Sequence, residues 1–140
     1  MKEMNRKIEH AVGEVVLGTF GNFLENPNAD RKPRPLVVLD PGKCQHLVAG
    51  LTTREFYRSS GGRRRAIPNP GRCGLHGRGF LWGQRPGRIS RLDIRKHIGW
   101  VDEDLVDVIA ATMHVSTDVV ARLRQAARER HEHCTWQCGA

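Results

Sequence analysis

Apolar and polar positions along the chain follow two periods, one after the other. As far as residue 101 the apolar runs are short and β-like. EVVLGTF (14–20), LVVLD (36–40) and HLVAGLTT (46–53) are rich in Val, Leu and Thr and are bounded by turn formers. Asp40-Pro41-Gly42 suits a tight turn between the second and third runs, and GNFLENPNADRKPRP has loop composition between the first two. Three such strands predict a small, curled antiparallel sheet. REFYRSSGGRRRAIPNPGRCGLHGRG (54–79) has the Gly and Pro density of a loop, with one short strand around Arg65 to Ile67. β character resumes in GFLWGQ (79–84), PGRIS reads as a turn, and RKHIGWV (95–101) alternates as a final strand.

The period then becomes helical. Asp102 can cap a helix with Leu105, Val106, Ile109 and Met113 on one face and Asp102, Glu103 and Asp104 at the positive end of its dipole. Ser116 or Thr117 opens a second helix, DVVARLRQAARERHEH, striped by Val119, Val120, Leu123 and Ala127. The predicted class is mainly β (α+β), with strands first and helices last. A chain of 140 residues suits one compact unit. No apolar run approaches the ~18 residues of a membrane span, and MKEMNRKIEHAVGEVV carries charges where a signal peptide needs an apolar stretch, so a cytoplasmic protein with no membrane partner is expected. Cys44, Cys73, Cys134 and Cys138 are then expected to stay reduced.

Charge changes this picture, because the formal net charge of +8 is uneven. Residues 54–96 hold twelve Arg or Lys against Glu55 and Asp93, a balance of +10, while the first 53 residues are near neutral and the last 44 sum to −3. Eleven of the twelve are Arg, whose fork grips phosphate bidentately, so a polyanion is the expected partner. A competing reading is a surface kept soluble by charge.

GEVVLGTF, a polar loop, RPLVVLD, LVAGLTTR, a strand leading to RIS, RKHIGWV and an acidic-capped helix, taken in that order, resemble the MazF/PemK family of bacterial toxins over roughly residues 12–113. The most specific parts are Arg34-Pro35 heading the apolar strand and Leu51-Thr52-Thr53-Arg54 ending the next. Gly13-Glu14-Val15-Val16 and Lys96-His97-Ile98-Gly99 are similar to the family's opening and late strands. The resemblance implies a curled antiparallel sheet or SH3-like barrel of the MazF/CcdB/Kid type with C-terminal helices. It implies a toxin domain over residues 1–113, with 114–140 as a helical extension and tail of the same unit. It also implies a homodimeric endoribonuclease (mRNA interferase) of a toxin–antitoxin system, restrained by a cognate antitoxin, cleaving single-stranded mRNA with no cofactor and no metal. Arg34 and Thr52 take the catalytic places: the guanidinium, an acid or base in the family, stabilises phosphorane charge, and the hydroxyl binds the phosphate. Arginine is a poor base at its ordinary pKa, so charge stabilisation is the role its chemistry favours. A one-residue register change would put Thr53 in place of Thr52. Arg31, Lys32, Thr53, Arg54, Arg63, Arg64, Arg65, Arg85 and Arg88 are the expected RNA contacts.

The chain departs from the family pattern in three places. GNFLENPNADRK lacks the Gly-Ser-Glu-Gln-like run, leaving Glu25 or Asp30 as loop carboxylates; GQRPGRIS interrupts a family segment with Pro86 and Gly87; and residues 58–79 are unusually rich in Arg. Taken singly, Arg34 also reads as an edge-strand charge against aggregation and Thr52 as an ordinary strand threonine. Alternative functions are a CcdB-like toxin that binds DNA gyrase without cleaving, and a basic nucleic-acid-binding protein. His131, His133, Cys134 and Cys138 in the tail, and the Cys73/His76 pair, are metal-ligand types whose spacing matches no standard zinc knuckle. Trp82 and Trp100 are expected in the core or a dimer seam in preference to a role as base-stacking platforms.

Overall fold

A computed structural model describes residues 10–19, 33–57 and 60–138, with side chains as far as residue 131. Its strands are β1 (Glu14–Gly18), β2 (Arg34–Asp40), β3 (Gln45–Thr52), β4 (Phe80–Leu81), β5 (Gly87–Ser90) and β6 (Ile94–Trp100), followed by helices α1 (Glu103–Thr112) and α2 (Thr117–Cys138). All pairings are antiparallel, in the order β4-β3-β2-β1-β6, with β5 also on β3. The expected α+β class is what forms. The sheet curls but stays open, with β4 and β5 on one edge and β6 on the other, so among the described residues no barrel closes. Among those residues, too, no helix is long and apolar enough to cross a membrane.

Alternation sorts the side chains into two buried layers. Val15, Val37, Ala49 and Leu51 face Leu105, Ile109, Val119 and Leu123 of the helices in one apolar cluster. Val16, Leu36, Val38, Val48 and Ile89 form a second cluster on the other face. Leu36, Val37, Val38 and Leu39 of β2 are all 0 % exposed, which is why that stretch reads as a continuous apolar run. The helix stripes expected from the sequence are buried, with Val120 packed at the edge of the core. The Asp102 carboxylate accepts the Leu105 N–H at 2.9 Å, and Ser116 Oγ accepts the Val119 N–H at 3.2 Å, so Ser116 rather than Thr117 caps α2. Because α2 shares the main core, residues 114–131 pack into the same unit as the sheet.

Three local expectations differ. PGRIS is a strand, since Gly87–Ser90 finds a free edge opposite Gln45–Val48. The run around Arg65 to Ile67 makes one bridge, Ala66 to Phe80, before Pro68 ends the ladder. α2 stays helical to Cys138, five residues past His133 where the predicted segment ended.

Four ionisable groups gather at the start of β1. The buried Glu14 carboxylate accepts from His10 Nδ1 at 3.0 Å, His97 Nδ1 at 2.9 Å and the Ala11 N–H at 3.0 Å. Burial alone would raise its pKa, but these bonds to His10, His97 and Ala11 outweigh it and the pKa falls below the ordinary 4.5. His46, 3 % exposed, lies 5.8 Å from the His10 ring and takes the Gly42 N–H on Nδ1 at 3.2 Å. Burial, then the charges of His10 and Arg91, pull its pKa below 6.5.

Two predictions follow from these contacts. A depressed histidine pKa means the unfolded chain takes up its proton first, so stability should fall as pH drops below about 6.5, by at most ~1.4 kcal/mol per pH unit. Melting temperature against pH should show that slope, flattened in His46→Leu; Glu14 adds a second loss only below pH 4.5. Separately, a Cβ on Gly99 would stand 2.4 Å from the Cys73 carbonyl oxygen, so Gly99→Ala should lower urea stability by about 1–3 kcal/mol.

Candidate functional site

The apolar face that the helices cover runs out toward the ends of β1, β2 and β3, and there it becomes the floor of a cleft of about 450 Å³. Leu17 pairs with Pro35 on one side and Lys96 on the other. Carrying the Leu36↔Gly50 register outward adds Leu51 to the same row. The far wall is the segment 74–79, which presents His76 and Arg78 to the cleft. That wall is fixed by two glycines packed against each other's strand: a Cβ on Gly74 would lie 2.4 Å from the Ile98 carbonyl oxygen, and one on Gly99 equally close to Cys73. Gly74 also has φ +87, a left-handed conformation that side-chain-bearing residues rarely adopt.

Arg34, Thr52 and Thr53 stand on the opposite lip. The same outward register sets Arg34 opposite Thr52, and alternation puts both on the face of Leu36 and Val38, away from the floor. By this register the two residues share a face. Among the described residues that line the cleft, Arg34, Arg78, Lys96 and His76 are basic and no carboxylate occurs. A concave, carboxylate-free site with cations and hydroxyls suits an anion such as a phosphodiester.

The two threonines divide the work. Thr52 is 5 % exposed and its Oγ1 accepts the Arg54 N–H at 3.2 Å, shaping the turn that leaves β3; Thr53 is exposed at the cleft lip. The buried hydroxyl can still donate its proton to a ligand, but Thr53 offers its whole hydroxyl.

Beyond the lip, arginines and rings alternate. Trp82 donates its backbone N–H to the Gly50 carbonyl at 2.8 Å, which sets it beside β3. The Arg34 guanidinium carbon lies 4.8 Å from the Trp82 ring centroid, that of Arg64 4.9 Å from the same ring and 4.4 Å from Tyr57. Arg64 is anchored through Nε to the Trp82 carbonyl at 2.9 Å and through Nη1 to the Arg54 and Phe56 carbonyls at 3.1 and 3.0 Å. Burial, with the charges of Arg54 and Arg34, pulls its pKa below arginine's ordinary value despite Tyr57. Arg63 covers the exposed Phe56 ring at 5.6 Å and meets Glu55 at 3.4 Å.

The other expected contacts are scattered. Arg54 is exposed beside this cluster, and Arg65 lies with Arg63 and Tyr57 in a smaller pocket at the end of α1. Arg85 is exposed in the β4–β5 connection, and Arg88, paired with Leu47, projects from the face opposite Val48 and Ile89, away from Arg34. Arg31 and Lys32, with Glu25 and Asp30, fall outside the described residues, as do the side chains of His133, Cys134 and Cys138. His131 Nε2 donates to the Val101 carbonyl at 3.0 Å. Burial, with Asp102 adding to it, pushes the Cys73 thiol up to about 11, so it stays protonated at neutral pH and is a poor metal ligand. Among the described residues no three His, Cys, Asp or Glu side chains group to hold a metal ion.

Sequence reasoning missed Lys96 and Arg78 as cleft residues and read His76 only as half of a metal pair. Trp82 and Trp100, expected in the core or a dimer seam, are half-buried and lie outside the two apolar clusters, so neither is a core residue; Arg130 lies 4.0 Å from the Trp100 ring. The usable signal for Trp82 was its setting, an aromatic residue flanked by Gly and Arg-rich loops. No protein-family model matches the chain, and no curated protein matches it.

Thr52→Val should therefore cost about 1–2 kcal/mol in denaturant unfolding, because the Arg54 N–H loses its partner, while Thr53→Val should stay within about 0.5 kcal/mol. Equal stabilities would remove the structural role given to Thr52.

Proposed function

We propose that the chain is an endoribonuclease that cleaves single-stranded RNA by 2′-hydroxyl attack on the adjacent phosphate without a metal ion, as the MazF/PemK toxins it resembles do. The observation that carries this reading is the cleft itself: Arg34, Thr52 and Thr53 on one lip, His76 and Arg78 on the other, Lys96 at the end of the floor, and no carboxylate among the described lining residues. Such a donor set attracts a phosphate and offers little to a divalent cation. Arg34 supplies charge to the phosphorane as it forms, held in place by the proline ring that follows it and by the Trp82 face. A threonine hydroxyl fixes a non-bridging oxygen. The imidazole of His76 is the cleft side chain that can either accept or donate a proton, which fits it to activate the 2′-hydroxyl or protonate the leaving 5′-oxygen. The balance is one proton removed from the 2′-oxygen and one delivered to the 5′-oxygen, leaving a 2′,3′-cyclic phosphate and a 5′-hydroxyl.

In this reading the enzyme acts as a homodimer and its restraint is an antitoxin whose acidic segment lies over the cationic cleft, where complementary charge speeds association and excludes RNA. Purified protein incubated with a long RNA in EDTA should cut it, leaving 5′-hydroxyl ends. Arg34→Ala should lower the rate about 10²- to 10³-fold and His76→Ala about 10²- to 10⁴-fold. Intact RNA with the wild-type protein, or cleavage that both variants retain, overturns the proposal; inhibition of DNA gyrase in place of cleavage would favour the gyrase-binding alternative.

A further inference from the structure

Arg34, Trp82, Arg64 and Tyr57 form a continuous ladder of guanidinium planes and aromatic rings with centre-to-ring distances of 4.8, 4.9 and 4.4 Å. Its first rung lines the cleft and its last reaches the hairpin in which Phe56 bridges to Arg63. The ladder is held rigidly. Arg64 is tied to three backbone carbonyls, and the hairpin is closed by Tyr57 N–H to the Gly62 carbonyl at 2.8 Å and Arg64 N–H to the Glu55 carbonyl at 2.7 Å. Phe56, 52 % exposed, extends the aromatic surface outward under Arg63. The rungs are too polar for a core and too ordered for a solvated charge cluster. Arg34 and Arg54 are each close enough to Arg64 for their charges to repel it.

We propose that this ladder is a stacking platform for the bases flanking the phosphate held in the cleft, so that the protein grips single-stranded nucleic acid through base faces as well as through phosphates. The chemistry is that of rings and guanidinium planes, which accept any base face without reading its edge, interleaved with cations that track the backbone. A duplex, with its faces already stacked, cannot use it. The proposal rests on the ribonuclease reading only for the identity of the polymer; the ladder would hold single strands whether or not the cleft cuts them.

The test is anisotropy binding with a 2′-O-methyl oligoribonucleotide, which lacks the attacking hydroxyl, alongside an abasic strand of the same length and a duplex. The wild-type protein should bind the base-bearing strand at least tenfold more tightly than the abasic strand or the duplex. Trp82→Leu and Tyr57→Leu should each weaken the base-bearing strand by about five- to a hundredfold and the abasic strand little. Arg130→Gln, which removes a similar cation–ring contact at Trp100, should change nothing. Equal wild-type affinity for base-bearing and abasic strands overturns the inference, and does so without any variant having to fold. Cleavage in EDTA with that equality would sink the ladder alone; discrimination without cleavage would keep the ladder and sink the ribonuclease reading.

Discussion

Burial of β2 on both of its faces is the constraint on which the rest depends. Its four central residues are 0 % exposed, packed on one side against the helices and on the other against Val16, Val48 and Ile89. A charged side chain on such a strand is tolerated only where the layers on both sides end, and Arg34 stands at that point. Its neighbour across β1 is Gly18, which brings no side chain, and its neighbour across β3, by the register carried outward from Leu36 and Gly50, is Thr52 on the same face. The proline after Arg34 fixes the local backbone. The arginine at the lip is thus a consequence of how the sheet is buried, and the place it occupies is the one where floor, lip and ladder meet.

The cleft depends on a second steric relation, remote in sequence from the first. Gly74 and Gly99 bring the turn Pro70–Cys73 and the edge strand β6 closer than side chains would permit. Asn69, just before that turn, donates to the carboxylates of Asp102 at 2.9 Å and Asp104 at 2.8 Å, tying the cleft wall to the N-terminus of α1. The helix cap that starts α1 therefore also positions His76 and Arg78, and packing of α1 on the core is felt at the cleft rim. Surface ion pairs between the helices, such as Arg124 with Asp107 at 2.7 Å and Arg128 with Glu103, add little energy but neutralise the arginines of α2. At the sheet end that carries the cleft, Arg34, Arg78 and Lys96 gather, while Arg85 and Arg88 stand elsewhere.

Within that end, repulsion of Arg64 by Arg34 and Arg54 is tolerated because each hydrogen bond and ring contact of Arg64 offsets part of its desolvation. In the proposed function an arriving phosphate would relieve that repulsion and so bind more tightly than at isolated surface arginines. Rigidity serves the same end, since little side-chain freedom remains to be lost on binding.

Periodicity alone fixed the two-part layout of the chain, the helix stripes, the Asp102 cap and the three long strands, because alternation and the 3.6-residue period are local properties of a buried surface. Arg34 and Thr52 were legible as strand ends for the same reason. What the sequence could not show was which residues meet across loops. Lys96 enters the cleft through β1–β6 register, His76 and Arg78 through a glycine contact between segments some twenty-five residues apart, and Trp82 takes its place through a backbone bond to Gly50. PGRIS looked like a turn because nothing in its own residues announces the free edge of β3 that makes it a strand. Those outcomes depend on close approach between distant backbones, and only the tertiary structure decides where two backbones come close.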